Sequence, residues 1–172
     1  MILESKLIPD LYESDFQKIT PELLRKYGIR GLICDIDNTL APYEEPVPSP
    51  AVLAWMEKMK ENGIQIAFVS NNNWDRVRLF NRDLQVPAYA KSGKPKTRFL
   101  YAALRDMKLS PREAALLGDQ LLTDCLAGKR LGMKALIVKP IRDKKTLFFR
   151  FKRWLEIPYL KKYHKLHQEM KS

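Results

Sequence analysis

The stretch RGLICDIDNTLAP, residues 30–42, decides how the rest of the chain is interpreted. Its first half is rich in branched apolar residues, and two carboxylates, Asp35 and Asp37, interrupt that run at positions i and i+2. In a β-strand this spacing places both carboxylates on one face. Because adjacent buried carboxylates repel each other, they need a cation or the water at a strand end. The stretch therefore predicts a strand over residues 31–37 that ends in a site for a hard divalent cation such as Mg²⁺.

Acidic pairs also close ordinary strands and start turns, so this stretch alone leaves a phosphate-handling site and a plain strand end equally open. The rest of the chain has to decide between them.

The composition predicts a single folded domain. A chain of 172 residues is long enough to bury a core without disulfides or structural metals, and its hydrophobic content of 45% argues against disorder. No apolar run is long enough to cross a bilayer, and the N-terminus lacks the pattern of a secretory signal. Cys34 and Cys125 are expected to be reduced core residues. We therefore expect a cytoplasmic protein.

The charge is strongly basic and unevenly distributed. The chain has 31 Lys and Arg against 20 Asp and Glu, a net charge of +11. Residues 142–172 hold ten Lys and Arg against three Asp and Glu, so +7 of the total lies there. Such an excess suggests a polyanionic partner: nucleic acid, ribosome or anionic lipid. We accordingly divide the chain into a core of residues 1–141 and a basic tail of residues 142–172.

Apolar strands alternate with helices along the core. Helix-start signals occur at Thr20-Pro21 and Ser49-Pro50, where a hydroxyl residue precedes proline. The strand at residues 31–37 is followed by strands predicted at residues 64–69, 88–90, 114–117 and 135–138. Near-continuous apolar strands separated by helices predict an α/β fold, a three-layer, doubly wound parallel sheet covered on both faces.

Polar residues follow two of the later strands. Ser70 and Asn71 come after the strand at residues 64–69, and Lys94 precedes the helix predicted at residues 97–107. A Ser-Asn turn can simply cap the next helix. A lysine at a helix N-terminus is unfavourable unless it is solvated or an anion lies beside it.

Carboxylates follow the strand at residues 114–117. Asp119 lies at its carboxyl end, and Asp124 follows at i+5 in the next helix. Asp124 could be an ordinary first-turn acid favoured by the helix dipole. Asp119 is harder to dismiss as an ordinary structural residue.

The order of these motifs resembles the haloacid dehalogenase (HAD) superfamily of aspartate-nucleophile phosphatases. The resemblance covers residues 31–124 and consists of Asp-x-Asp-x-Thr, Ser, Lys and Gly-Asp-x₄-Asp. More narrowly, DIDNTLAP, SNN, GKP and GDQLLTD resemble the class IIIA, YqeG-type branch, which is similar to the mitochondrial phosphatidylglycerophosphate phosphatases. Residues 40–49 and 74–89 leave room for only a loop and one helix, so no large cap domain is expected.

The resemblance implies a mechanism on three catalytic residues. Asp35 would attack phosphorus and form an aspartyl-phosphate. Asp37 would protonate the leaving oxygen and then activate the hydrolytic water. Lys94 would neutralise the nucleophile and the transferring phosphoryl group.

It also implies a set of binding residues. Thr39 would hold the loop geometry, and the substrate phosphate would be bound by Thr39, Ser70, Asn71 and Lys94. Mg²⁺ would be held by Asp35, Asp119 and the backbone carbonyl of Asp37, with Asp124 supporting the metal shell from outside.

The basic tail has an amphipathic pattern. In KTLFFRFKRWLE, residues 145–156, apolar residues occur at i, i+1, i+4, i+7 and i+8, namely Leu147, Phe148, Phe151, Trp154 and Leu155. Pro158 is predicted to start a second helical piece. The first helix could pack on the sheet with the second piece solvated, or the tail could be an interfacial membrane helix, or it could bind RNA or the ribosome.

The resemblance, together with the basic amphipathic tail, implies a Mg²⁺-dependent phosphomonoester hydrolase with phosphatidylglycerophosphate as the favoured substrate. One alternative is a phosphatase of a soluble sugar or nucleotide phosphate. Another is a ribosome- or RNA-associated binding protein. DNA is not expected as a partner, and the predicted location is the cytoplasm, with peripheral contact at the inner face of the membrane as a further expectation.

Overall fold

A six-stranded sheet forms the centre of the computed structural model, which describes residues 5–142 and 145–169. Its strands are β1 (Leu11–Glu13), β2 (Gly31–Cys34), β3 (Gln65–Val69), β4 (Ala88–Tyr89), β5 (Ala114–Gly118) and β6 (Lys134–Val138). Their spatial order is β1-β6-β5-β2-β3-β4, and every neighbouring pair is parallel. The predicted parallel α/β sheet is confirmed, and β2 lies inside it between β3 and β5.

Six α-helices connect and flank the strands among the described residues. They are α1 (Pro21–Lys26), α2 (Pro50–Glu61), α3 (Trp74–Asn81), α4 (Arg98–Met107), α5 (Leu126–Arg130) and α6 (Leu147–Glu169), with a π-helical turn at Leu121–Cys125. The hydroxyls of Thr20 and Ser49 accept backbone N–H groups at the starts of α1 and α2, as predicted.

Helices cover both faces of the sheet because the strand side chains alternate. Leu32 and Cys34 of β2 pack in a cluster with Met59 of α2 and Phe80 of α3. Ile33, which points the other way, packs in a second cluster with residues of α4. Both cysteines are buried and unpaired, as expected. The three-layer arrangement is therefore present.

The strand carrying the two carboxylates is shorter than predicted. β2 ends at Cys34, although the Asp35 N–H still donates to the carbonyl of Leu117. The chain then curls, because the N–H groups of Leu40 and Ala41 both turn back to the carbonyl of Ile36. Asp35 and Asp37 therefore lie just beyond the strand.

The short edge strand β1 was not predicted. It has three residues, too few for an alternating pattern to be visible, and it forms by pairing with β6. Between the described strands and helices, residues 41–49 add only a loop and residues 70–87 only α3 with its turns, so this part of the chain has no large cap domain.

The tail prediction was wrong in one respect, because α6 continues through Pro158 as a single helix. Proline removes the N–H that would bond the carbonyl four residues earlier. Pro158 and Trp154 are both exposed, so water can satisfy the carbonyl of Trp154. None of the described helices is both long and apolar enough to span a bilayer. The division at residue 142 stays a prediction.

One alternative for the tail was that the first half packs on the sheet and the second half is solvated. Neither half of α6 is placed in this way. Its second half is anchored to the core, where Tyr163 is buried and its hydroxyl accepts the N–H of Tyr12 at 3.0 Å. In its first half the aromatic face is exposed, at Leu147, Phe148, Phe151, Trp154 and Ile157. The side chains that reach the core from the first half are polar, Arg153 and Glu156.

Candidate active site

The predicted site residues converge at the carboxyl ends of three adjacent strands. Asp35 follows β2, Ser70 follows β3 and Asp119 follows β5. Since these strands are parallel neighbours, their ends meet at one edge of the sheet. A cavity of about 240 Å³ opens there, lined by Asp35, Asp37, Tyr43, Ser70, Asn71, Asn72, Lys94, Gln120, Thr123 and Asp124.

Lys94 is the buried cation of the site. Its Nζ lies 3.0 Å from Oδ1 of Asp35 and 2.8 Å from Oδ1 of Asp124, and it donates to the carbonyl of Val69 at 2.7 Å. Only 5% of Lys94 is exposed. Burial alone would lower the pKa of this amine, but Asp124 and Asp35 raise it above its ordinary value. Lys94 is therefore a fixed positive charge beside Asp35.

Asn71 holds the segment that carries Lys94. Its Oδ1 accepts the Lys94 N–H at 2.8 Å and the Ser92 hydroxyl at 2.7 Å. The Ser70 hydroxyl, which is buried, accepts the N–H of Asn72 at 3.1 Å. These bonds show how the turn is built. Phosphate binding by Ser70 and Asn71 stays a prediction.

The helix after Lys94 begins within one residue of its predicted start. Pro95 forms a cis peptide bond with Lys94, and α4 starts at Arg98 with Thr97 as its preceding residue. Lys94 therefore lies in the loop that leads into α4.

Both oxygens of Asp37 have donors that sequence reasoning missed. Arg76 Nε lies 3.0 Å from Oδ1, and Asn72 Nδ2 lies 2.8 Å from Oδ2. Arg76 also donates to the carbonyls of Pro42 and Glu45, on the loop after β2. A cation in the first turn of the helix after a site strand is the signal that could have identified it.

Three buried carboxylates could share a metal ion. Asp35, Asp119 and Asp124 each offer an oxygen within 4.8 Å of the other two. The hydroxyl of Thr39 donates to Oδ1 of Asp119 at 3.4 Å. Asp124 thus belongs to the cluster of three carboxylates, whereas the Asp37 carboxylate forms an ion pair with Arg76.

Gly118 makes the position of Asp124 possible. A Cβ on Gly118 would lie 2.2 Å from Cγ of Asp124, which is closer than two carbons can approach. Asp124 Oδ2 accepts the N–H groups of Asp119 at 3.3 Å and Gln120 at 3.2 Å. The Gly-Asp-x₄-Asp pattern is therefore a packing requirement as well as a set of charges.

The tail helix contributes two further residues that sequence reasoning missed. Arg153 forms an ion pair with Oδ2 of Asp119 and donates to the Asp119 carbonyl at 2.7 Å. Glu156 accepts the backbone N–H of Leu121 at 2.8 Å. An Arg–Glu pair at i and i+3, opposite the aromatic face of α6, was the available signal.

The charges at this edge of the sheet do not balance within the described residues. Five carboxylates (Asp35, Asp37, Asp119, Asp124 and Glu156) face three cations (Arg76, Lys94 and Arg153). Burial raises the pKa of Asp35 to about 7, against the opposing effect of Lys94. Burial and then Asp124 raise the pKa of Asp119 well above its usual range. A hard divalent cation fits this oxygen-rich site because it would offset the excess of two negative charges.

Two sequence comparisons identify relatives of the chain. The model of the HAD-hydrolase-like family matches residues 91–142. A protein of Bacillus subtilis (strain 168) described as probable phosphatase YqeG is 38% identical over 155 residues, covering 90% of each chain.

Solved structures share the fold at low sequence identity. CbbY from Rhodobacter sphaeroides, in complex with phosphate, has 14% identity and a TM-score of 0.53, over 70% of this chain and 90% of that one. An uncharacterized protein from Listeria monocytogenes serotype 4b has 18% identity and a TM-score of 0.53, over 69% of this chain and 85% of that one.

The chain therefore belongs to the HAD family of hydrolases, and it is a HAD-type phosphatase.

The raised pKa values lead to a prediction about metal binding. Protons and a divalent cation compete for the same carboxylates, so affinity should fall as pH drops through the folded-state pKa of Asp35. With a pKa of about 7 for Asp35, Mg²⁺ should bind roughly tenfold more weakly at about pH 6 than at about pH 8. Titration calorimetry of the protein without substrate measures this, and equal affinity at the two pH values would contradict it.

Proposed function

We propose that the protein is a Mg²⁺-dependent phosphomonoester hydrolase in which Asp35 is the nucleophile. The observation that supports this most is the contact of Lys94 Nζ with Oδ1 of Asp35 at 3.0 Å, beside two further buried carboxylates. A carboxylate with a fixed ammonium and a divalent-cation site beside it is suited to receive a phosphoryl group, because both positive charges offset the oxygens of that group.

In the first step an Asp35 carboxylate oxygen attacks phosphorus and the bond from phosphorus to the ester oxygen breaks. The leaving oxygen takes a proton from Asp37, and an aspartyl-phosphate remains. In the second step water attacks the same phosphorus and gives a proton to Asp37. The bond from phosphorus to Asp35 breaks, which releases inorganic phosphate and restores both carboxyl groups.

The surrounding residues suit this scheme. Arg76 and Asn72 keep the Asp37 carboxyl group at the cavity wall. Ser70 and Asn71, also on the wall, are proposed to bind the substrate phosphate together with Thr39 and Lys94. A Mg²⁺ ion held by Asp35, Asp119 and the Asp37 backbone carbonyl, with Asp124 in support, would add positive charge at the transferring group.

The direct test of this proposal is phosphate release from a small soluble phosphate ester by native protein and by Asp35→Asn. The amide is a poor nucleophile, so we expect at least about a thousandfold loss of kcat. Chelation of the metal should abolish native activity, and added Mg²⁺ should restore it. Glu57→Gln, an exposed carboxylate on α2, is the matched control. Undiminished activity in Asp35→Asn would refute the proposed nucleophile.

We further propose that the substrate is presented at a membrane surface, with phosphatidylglycerophosphate as the favoured compound. The cavity, at about 240 Å³, accommodates a phosphate group rather than a whole lipid. With no large cap in the described chain, the remainder of a substrate would stay outside the site. A terminal phosphomonoester on a lipid headgroup meets this requirement.

The exposed face of α6 supports the membrane assignment. Leu147 is 82% exposed and Trp154 63%, and Phe148 and Phe151 lie on the same face. Basic side chains, including Arg150, Lys161 and Lys165, are exposed along the same helix. Aromatic residues flanked by cations favour an interface with anionic lipid. On this proposal the protein binds peripherally to the inner face of the membrane through its tail.

The lipid proposal is tested with a surface variant, because removing the tail would also remove Arg153 from the site. Phe151→Ala/Trp154→Ala should bind anionic vesicles roughly tenfold more weakly than native protein. It should lose activity on vesicle-borne phosphatidylglycerophosphate by a similar factor. Activity on the soluble ester should be unchanged. Tyr101→Ala, which removes an exposed aromatic residue from α4, is the control.

Two outcomes would overturn the lipid proposal while leaving the phosphatase intact. Preferential hydrolysis of soluble sugar or nucleotide phosphates, without vesicle binding at low salt, would favour a soluble substrate. Salt-sensitive co-sedimentation with ribosomes but not with vesicles would favour the RNA-associated alternative.

A further inference from the structure

We infer that α6 is part of the metal site, with Arg153 and Glu156 as positioning residues that hold Asp119 and the turn after β5. This inference rests on the proposed function, because it concerns the same divalent cation. It assigns the tail helix a role in the site that is separate from its exposed aromatic face.

Arg153 fixes both the backbone and the side chain of one candidate metal ligand. One guanidinium nitrogen donates to the Asp119 carbonyl at 2.7 Å, and the other contacts Oδ2 of the same residue. The first nitrogen also donates to Oε2 of Glu156 at 3.0 Å. A planar guanidinium can make these contacts together, whereas a lysine ammonium is a point charge on a flexible stem.

Glu156 supports the backbone that follows Asp119. Its Oε1 accepts the N–H of Leu121 at 2.8 Å and of Leu122 at 3.2 Å. These N–H groups open the π-helical turn Leu121–Cys125, where a helix start leaves donors without partners from its own backbone. Glu156 is therefore a cap supplied by another helix, and this cap fixes the turn that carries Asp124.

The two residues bring no net charge to the site. Arg153 and Glu156 form an ion pair, and Glu156 is only 3% exposed. The guanidinium contacts Oδ2 of Asp119, but the Arg153–Glu156 pair as a whole leaves the excess of two negative charges at this edge of the sheet unchanged. Its effect is to orient the carboxylate, in the way that residues behind metal ligands commonly raise affinity.

The helix is also held firmly enough to transmit this orientation. Tyr163, two turns after Glu156 on the same side of α6, is buried against Tyr12. Tyr159 and Leu160 pack against the cluster that contains Leu121 and Cys125. These contacts, which follow Glu156 along α6, keep the helix in register with Asp119.

The test compares Mn²⁺ affinity of the full-length protein, measured without substrate by electron paramagnetic resonance. Arg153→Lys keeps the charge but loses the fork, and Glu156→Gln removes the ion pair and the charged cap. We expect roughly tenfold weaker Mn²⁺ binding in each variant. Arg150→Lys, an exposed position on the same helix, should bind Mn²⁺ as the native protein does. Melting temperatures measured in the presence of a chelator identify any variant that has not folded. The Mn²⁺ affinity of the variant that has folded then tests the inference.

Unchanged or tighter Mn²⁺ binding in a folded Arg153 or Glu156 variant overturns the inference. The proposed function is judged separately, by phosphate release in native protein and its loss in Asp35→Asn. An active native enzyme whose Arg153→Lys variant binds Mn²⁺ normally would thus refute only the role of α6.

Discussion

The burial of several carboxylates around one lysine is the constraint on which the site depends. Asp35 and Asp124 both contact Lys94 Nζ. A carboxylate oxygen of Asp119 lies within 4.8 Å of an oxygen of each of these two aspartates. Buried charges of one sign are costly unless they are paired. The parallel sheet meets this cost by bringing three strand ends together, so that the residues following each strand can pair with one another.

The surrounding structure extends the pairing outward. Arg76 ties Asp37 to the loop after β2, and Arg153 ties Asp119 to the tail helix. The same helix presents its aromatic side to solvent, so the two faces of α6 have different surroundings. Its polar face contributes to the site, and its apolar face is available to a surface. The activity and its proposed location are consequently linked through one helix.

The sequence predicted the parts that depend on local pattern and strand order. Asp35, Ser70 and Asp119 follow apolar runs, and parallel strands place such residues at one edge whatever the detailed packing. Arg76 and Arg153 lie inside helices and do not directly follow an apolar strand, so strand order did not bring them to the site, where their partners lie 39 and 34 residues away in the sequence. The course of α6 was also missed, since proline disfavours a helix interior without excluding it, and Pro158 lies at an exposed position of the helix.

The most direct measurement is the chemical identity of the phosphorylated residue. A phosphate ester with a good leaving group needs no proton from Asp37, so Asp37→Asn should form the acyl phosphate and hydrolyse it slowly. Borohydride reduces an aspartyl-phosphate to homoserine, which peptide mass spectrometry locates. The account predicts homoserine at Asp35 and none in Asp35→Asn. Homoserine at another aspartate, or continued turnover with no residue trapped, would contradict it.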